Sequence, residues 1–146
     1  MLREDGMAEP RPIKEILEAH ADDHEQLHKL GSTIQQAILA NDVDKVADSL
    51  LELQASQTSH FRFEERLMEE VGFPDRETHA RSHEKLTATL GAINQALDLG
   101  RFSSLSCDLG AFIEDSLAHI AELDETFRCF LVDLLPPSSR QSLLTA

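Results

Sequence analysis

The chain contains no tryptophan and no tyrosine, and only two cysteines among its 146 residues. Two thiols, Cys107 and Cys129, cannot build a disulfide framework, and they lack the spacing of a zinc knuckle. Aromatic bulk therefore rests on seven phenylalanines. Cations are scarce as well: 13 Lys and Arg against 27 Asp and Glu give a formal charge of −14. Nucleic-acid binding needs clustered cations to meet phosphates, so that class of function is excluded. Anionic membrane surfaces are disfavoured on the same ground. No apolar run approaches the ~20 residues that span a bilayer. The opening stretch, MLREDGMAEPRP, has no apolar segment of the secretory type, and the expectation is a cytoplasmic protein.

Glycine and proline are also sparse, and they fall where turns belong. Pro12 suits the first position of a helix, where a missing N–H costs nothing. A first helix is predicted over 13–40, closed by Asn41-Asp42. A second over 43–71 ends at Gly72-Phe73-Pro74, a C-cap glycine followed by a proline stop. A third over 75–99 is closed by Gly100. A fourth, capped by Ser103 or Ser104, ends at Pro136-Pro137. The predicted organisation is a flexible arm at 1–12, one helical domain at 13–135 and a tail at 136–146. Four similar helices with short connections make an all-α, antiparallel up-down-up-down four-helix bundle. The exposed faces do not fix an oligomeric state; the expectation is a monomer with at most weak self-association.

Each helix carries a stripe at spacings of three and four, which keeps its members on one face. The second reads Val46, Leu50, Leu53, Gln57, His60, Glu64, Leu67, Val71, and the third His79, His83, Leu86, Leu90, Ile93, Leu97. The first offers Ile13, Leu17, His20, His24, Leu27, Gly31, Ile34 and Ile38. The fourth offers Leu109, Phe112, Ser116, His119/Ile120, Leu123, Phe127, Phe130 and Leu134. Polar groups thus enter the core stripe on all four helices. A lone core histidine is commonly just a hydrogen-bonded side chain, but burying this many without strong partners would cost several kcal/mol apiece at the upper end. His60 and Glu64 stand one turn apart, as do His79 and His83. His24 precedes His60 by the same 36 residues that separate His83 from His119. Matching hairpins therefore bring histidines of all four helices to one depth.

That layer predicts a dinuclear metal site in the core. On the first helix His20 points most directly inward, yet hairpin symmetry favours His24. On the fourth, Asp124 lies about 70° to one side of the stripe and His119 about 70° to the other, while Asp115 and Glu122 face solvent. His24, His60, His79, His83, His119, Glu64 and Asp124 are the candidate ligands. Imidazole with carboxylate suits iron, manganese or zinc. Two octahedral ions bridged by both carboxylates and by one oxo or hydroxo group would leave a single open position. A lone vacancy walled by Phe and Leu suits a diatomic or small anionic ligand.

These residues resemble the hemerythrin family in its bacterial, single-domain form, from about Ile16 to Phe130. The family's first histidine in its acidic context matches Asp22-Asp23-His24-Glu25-Gln26-Leu27. The His-Phe-x-x-Glu-Glu signature matches His60-Phe61-Arg62-Phe63-Glu64-Glu65. Met68, the Gly72-Phe73-Pro74 turn, His79 to His83, and His119-Ile120 with Asp124 complete the pattern. The resemblance implies two iron ions, one held by His79, His83 and His119 and the other by His24 and His60. Glu64, Asp124 and an oxo or hydroxo group would bridge them. It implies reversible dioxygen binding at the His24/His60 iron, for carriage, storage, delivery or sensing, and thus a binding protein more than an enzyme. Phe61, Leu27, Leu86 and Ile120 would keep water out. Two features depart from the family: the tryptophan often found before the first helix is absent, and His20 stands where an apolar residue is usual. An extra imidazole there would favour the alternative, a diiron oxidase or a peroxide- or nitric-oxide-reactive enzyme.

Overall fold

The computed structural model describes residues 13–137; the predicted arm, with Pro12, and positions 138–146 of the predicted tail lie outside them. The elements in chain order are α1 (Ile13–Leu39), α2 (Val43–Val71), α3 (Arg76–Asp98), α4 (Leu105–His119), a π turn (Ile120–Asp124) and α5 (Glu125–Asp133). The last three form one continuous rod, so the architecture is the expected all-α four-helix bundle, with no strand among the described residues.

The helix ends follow from local chemistry. Asn41, Gly72 and Gly100 take left-handed φ values of 54°, 68° and 73° after α1, α2 and α3. Such a residue lets the next two N–H groups turn back onto the last carbonyls of the helix. At Gly72 the returning bonds run to Glu69 O at 3.3 Å and from Phe73 N to Met68 O at 2.9 Å. Phe73 and Met68 then bury their side chains together, which anchors the turn between α2 and α3. Asp42 caps the start of α2, accepting from the backbone N–H of Lys45 at 3.2 Å. Ser104 stands before α4 but makes no side-chain cap; its hydroxyl donates to Asp108 instead.

The apolar interior is divided in two. One core gathers Leu30, Ile34, Leu50, Leu53, Leu86, Leu90, Leu109 and Phe112. The other gathers Ile16, Leu67, Met68, Phe73, Phe127 and Leu131. α1, α2 and the last rod cross from one to the other at their histidines, whereas α3 packs its leucines and Ile93 into the first core only and carries His79 and His83 at its N-terminal end. Relative to the predicted stripe, α1 is turned slightly: Ile16, Leu30 and Ala37 are buried, while Leu27 and Ile38 pack at the core's edge.

Candidate metal centre

Nine polar residues are buried in the described chain, and eight of them lie at histidine or carboxylate positions or directly beside them: His20, Gln57, His60, Glu64, His79, His83, His119 and Asp124. His24 joins them with its side chain 19 % exposed. Their potential donor atoms form two groups that share both carboxylates. His20, His24, His60, Glu64 and Asp124 make the first, and Glu64, His79, His83, His119 and Asp124 the second; in each, the atoms lie within 4.8 Å of one another. All seven predicted site residues are therefore brought together, and His20 comes with them.

The contacts are close but poorly directed for hydrogen bonding. Asp124 Oδ2 lies 2.8 Å from His24 Nε2, and its Oδ1 lies 2.9 Å from His79 Nε2 and 3.0 Å from His119 Nε2. Glu64 Oε1 is 3.0 Å from His83 Nε2 and touches His79 Nε2. Its Oε2 is 3.4 Å from His60 Nε2 and is paired with His20 Nε2. Even so, Nε2 of His24, His60, His79, His83 and His119, with Glu64 Oε1 and Asp124 Oδ1, has no hydrogen-bond partner among the described residues. Buried polar atoms are rarely left so. Five imidazole nitrogens and two carboxylate oxygens converging without bonds are a donor set that fits metal ions of the iron type. His20 is outside that unpaired set.

Three of the outer nitrogens are occupied. His60 Nδ1 lies 3.1 Å from Asp23 Oδ2, His83 Nδ1 2.9 Å from Glu65 Oε2, and His119 Nδ1 2.7 Å from Ser82 Oγ. An Nδ1–H donating to a carboxylate fixes the tautomer and leaves Nε2 as an inward lone pair. The flat ring of Phe61 stacks on His83 at 3.8 Å and 10°, holding its plane. Position within the stripe does not reveal Asp23, Glu65 or Ser82. Glu65 in particular looks like a solvent-facing acid, yet it reaches across to α3. The available signal is adjacency: all three directly neighbour an inward residue, Asp23 before His24, Glu65 after Glu64 and Ser82 before His83.

The π turn resolves the geometry of the fourth helix. Five residues separate His119 from Asp124, about 140° apart on a regular helix. A π turn closes i to i+5, and Ile120–Asp124 adopts it. The buried series Leu105, Leu109, Phe112, His119 thus continues as Asp124, Phe127, Leu131 without leaving the interior.

Electrostatics follow from this crowding. Burial alone would raise the pKa of Glu64, but His20, His60, His79 and His83 around it hold it far below the usual carboxylate range. Asp124 is likewise lowered against its burial by His119, His24 and His79. Burial works against charge on His79, yet Asp124 and Glu64 prevail and raise it from 6.5 to about 9. His60 is raised for the same kind of reason, burial being outweighed by Glu64 and Asp23.

Beside the first group opens a cavity of about 270 Å³, reached by His24, His60, His119 and Asp124. Leu27, Phe61, Leu86 and Ile120, expected to exclude water, all line it. Cys107 and Cys129 are exposed and free, remote in role from the layer. No helix among the described residues is long and apolar enough to cross a membrane.

A four-helix bundle with two joined His/Glu/Asp groups in its core defines a helical protein built around a dinuclear-type site. The family model described as "Hemerythrin HHE cation binding domain" matches residues 11–130, and the chain belongs to that family. It is similar to the bacteriohemerythrin of Stenotrophomonas maltophilia (strain R551-3), 40% identical over 58 residues, which are 40% of this chain and 33% of that relative. The match thus spans a third of the relative's length. No solved structure matches the chain.

Proposed function

We propose that this protein binds two iron ions between its helices and takes up dioxygen reversibly at one of them. The observation that carries the reading is the set of unpaired inward atoms on His24, His60, His79, His83, His119, Glu64 and Asp124. His79, His83 and His119 would hold one ion and His24 and His60 the other, with Glu64 and Asp124 serving both. Bound iron supplies the reducing equivalents and an open coordination position. The chain's own residues do the rest. Asp23, Glu65 and Ser82 orient three imidazoles, and the walls of the cavity admit a small ligand while limiting water. Family membership and the bacteriohemerythrin match support the same role.

The test is spectroscopic. Oxygen is added to the reduced, iron-loaded protein without other oxidant. A visible band that appears, persists and vanishes on removing oxygen supports reversible binding. Rapid irreversible bleaching with release of hydrogen peroxide would favour the second reading, an oxidase or a peroxide- or nitric-oxide-reactive enzyme. His20, buried and paired with Glu64, is the observation on that side, because it places a third imidazole within the first group. Fewer than two irons per chain would sink both.

Two expected outcomes arise from the geometry. Replacing Glu65 by alanine frees the His83 ring, and metal affinity should fall about 10- to 100-fold, measured by competition with a chelator. The second concerns pH. A histidine raised from 6.5 to about 9 stabilises the metal-free fold fully below pH 6.5 and loses that contribution as pH rises through 9. The lowered carboxylates act oppositely, contributing above their ordinary range and losing it in acid. Metal-free protein should therefore be most stable near pH 5 to 6 and lose on the order of 3 kcal/mol between pH 6.5 and 9. Metal-loaded protein, whose imidazoles are already deprotonated by coordination, should lack that decline. Melting temperatures with and without chelator across this window check it.

A further inference from the structure

The cavity contains one polar group that the metal set does not use. Gln57 is only 4 % exposed, and its Nε2 has no hydrogen-bond partner among the described residues. It lines the same cavity as His24, His60, His119 and Asp124. Gln57 and His60 are three residues apart on α2, which places them on one face at heights differing by about 4.5 Å. The amide thus stands one turn above the floor of the cavity.

Its neighbours there do not compete for the role. Leu53, Phe61, Leu86 and Phe112 are apolar walls. Ser116 also lines the space, but its hydroxyl donates to the Phe112 carbonyl at 2.9 Å. His28, Ser32 and Gln35 are exposed and stand at the rim. Inside the cavity, Gln57 is the amide N–H left with nothing to donate to. A leucine would pack the same wall without the desolvation that a buried, unpaired amide carries. The cavity is also far larger than the ~30 Å³ one water occupies, so a ligand of several atoms can lie between the floor and the amide.

We propose that Gln57 is a specificity-determining residue of this cavity. Its amide donates a hydrogen bond to the outer acceptor atom of a small inorganic anion whose inner end sits over His24, His60 and Asp124. The inference rests on the metal reading above and extends it. The floor binds one end of the ligand, and Gln57 selects for an acceptor at the other. Ligands without an outer acceptor gain nothing from it.

The probe is azide, a linear anion with an acceptor at each end, titrated into diferric protein and followed by its visible absorption. Parent, Gln57→Leu and Gln57→Met are compared, methionine keeping the length of the side chain without the donor. Iron content and the melting temperature of the metal-free proteins are measured alongside. Two irons per chain in all three proteins, with azide binding about tenfold weaker in both variants, is the expected result. Metal-free melting temperatures should hold or rise, since an unpaired amide has been removed. Azide binding within twofold of the parent in both variants would overturn the proposal. So would lower metal-free melting temperatures in both, since the fold itself would then be using the amide. Parent protein that fails to take up two irons would refute the metal reading, and this inference with it, by a measurement separate from the azide titration.

Discussion

Replacing Glu64 by glutamine is expected to abolish iron binding at both positions together. Its side chain is fully buried, and it is the one carboxylate within contact of four imidazoles, those of His20, His60, His79 and His83. It belongs to both donor groups. An amide in its place offers a single neutral oxygen and turns an NH₂ toward nitrogens that should be acceptors. Iron should fall from two per chain to well below one. The metal-free fold should suffer too, because removing one partner of a buried charged cluster strands the others, at a cost of about 3–5 kcal/mol. For a chain of this size that is a fall of roughly 10–20 °C in melting temperature. Glu69, on the same helix but 75% exposed, is the control, and its glutamine variant should change neither quantity. An E64Q protein that still held two irons would refute the bridging role.

The second large effect separates the two histidines of α1. Both lie in the first donor group, with ring centroids 4.2 Å apart. Their inner nitrogens differ. Nε2 of His24 is unpaired, whereas Nε2 of His20 is hydrogen-bonded to Glu64. His24→Ala should therefore hold one iron and lose the reversible oxygen band, while His20→Ala should hold two. A His24→Ala protein with two irons would transfer the position to His20. Faster irreversible oxidation in the parent than in His20→Ala would show that this imidazole acts on the bound ligand, as the enzymatic reading requires.

Much of this was legible in the order of residues because α-helical phase is rigid. His60 with Glu64, and His79 with His83, are one turn apart, and no packing arrangement can separate them. The equal spacing within the two hairpins set the depth of His24 and His119. The turn at Gly72-Phe73-Pro74 was readable because only a left-handed residue followed by a chain stop satisfies the end of α2. What escaped depends on departures from ideal phase or on contacts between helices. Asp124 is legible as the inward carboxylate, but the π turn that brings it and His119 to one face is a departure that a regular rotation of about 100° per residue cannot express. Glu65 faces away from its own helix's buried face, so its bond to His83 exists only once α3 is docked. Gln57 was visible as a stripe member, but periodicity could not say that its amide would be left without a partner.

The two donor groups share their carboxylates but differ in how much of each borders the cavity. His24 and His60 of the first group border the cavity, whereas in the second only His119 does so, His79 and His83 lying behind Phe61, Phe73 and Phe127. Equilibrium affinity need not reflect this difference, but exchange rates will. On the two-iron reading, a chelator entering through the cavity should strip the first position faster than the second, which meets the cavity only through His119 and Asp124. Loading and stripping should therefore be sequential, and a timed exposure to chelator followed by a different metal would yield a mixed pair with a known ion at each address.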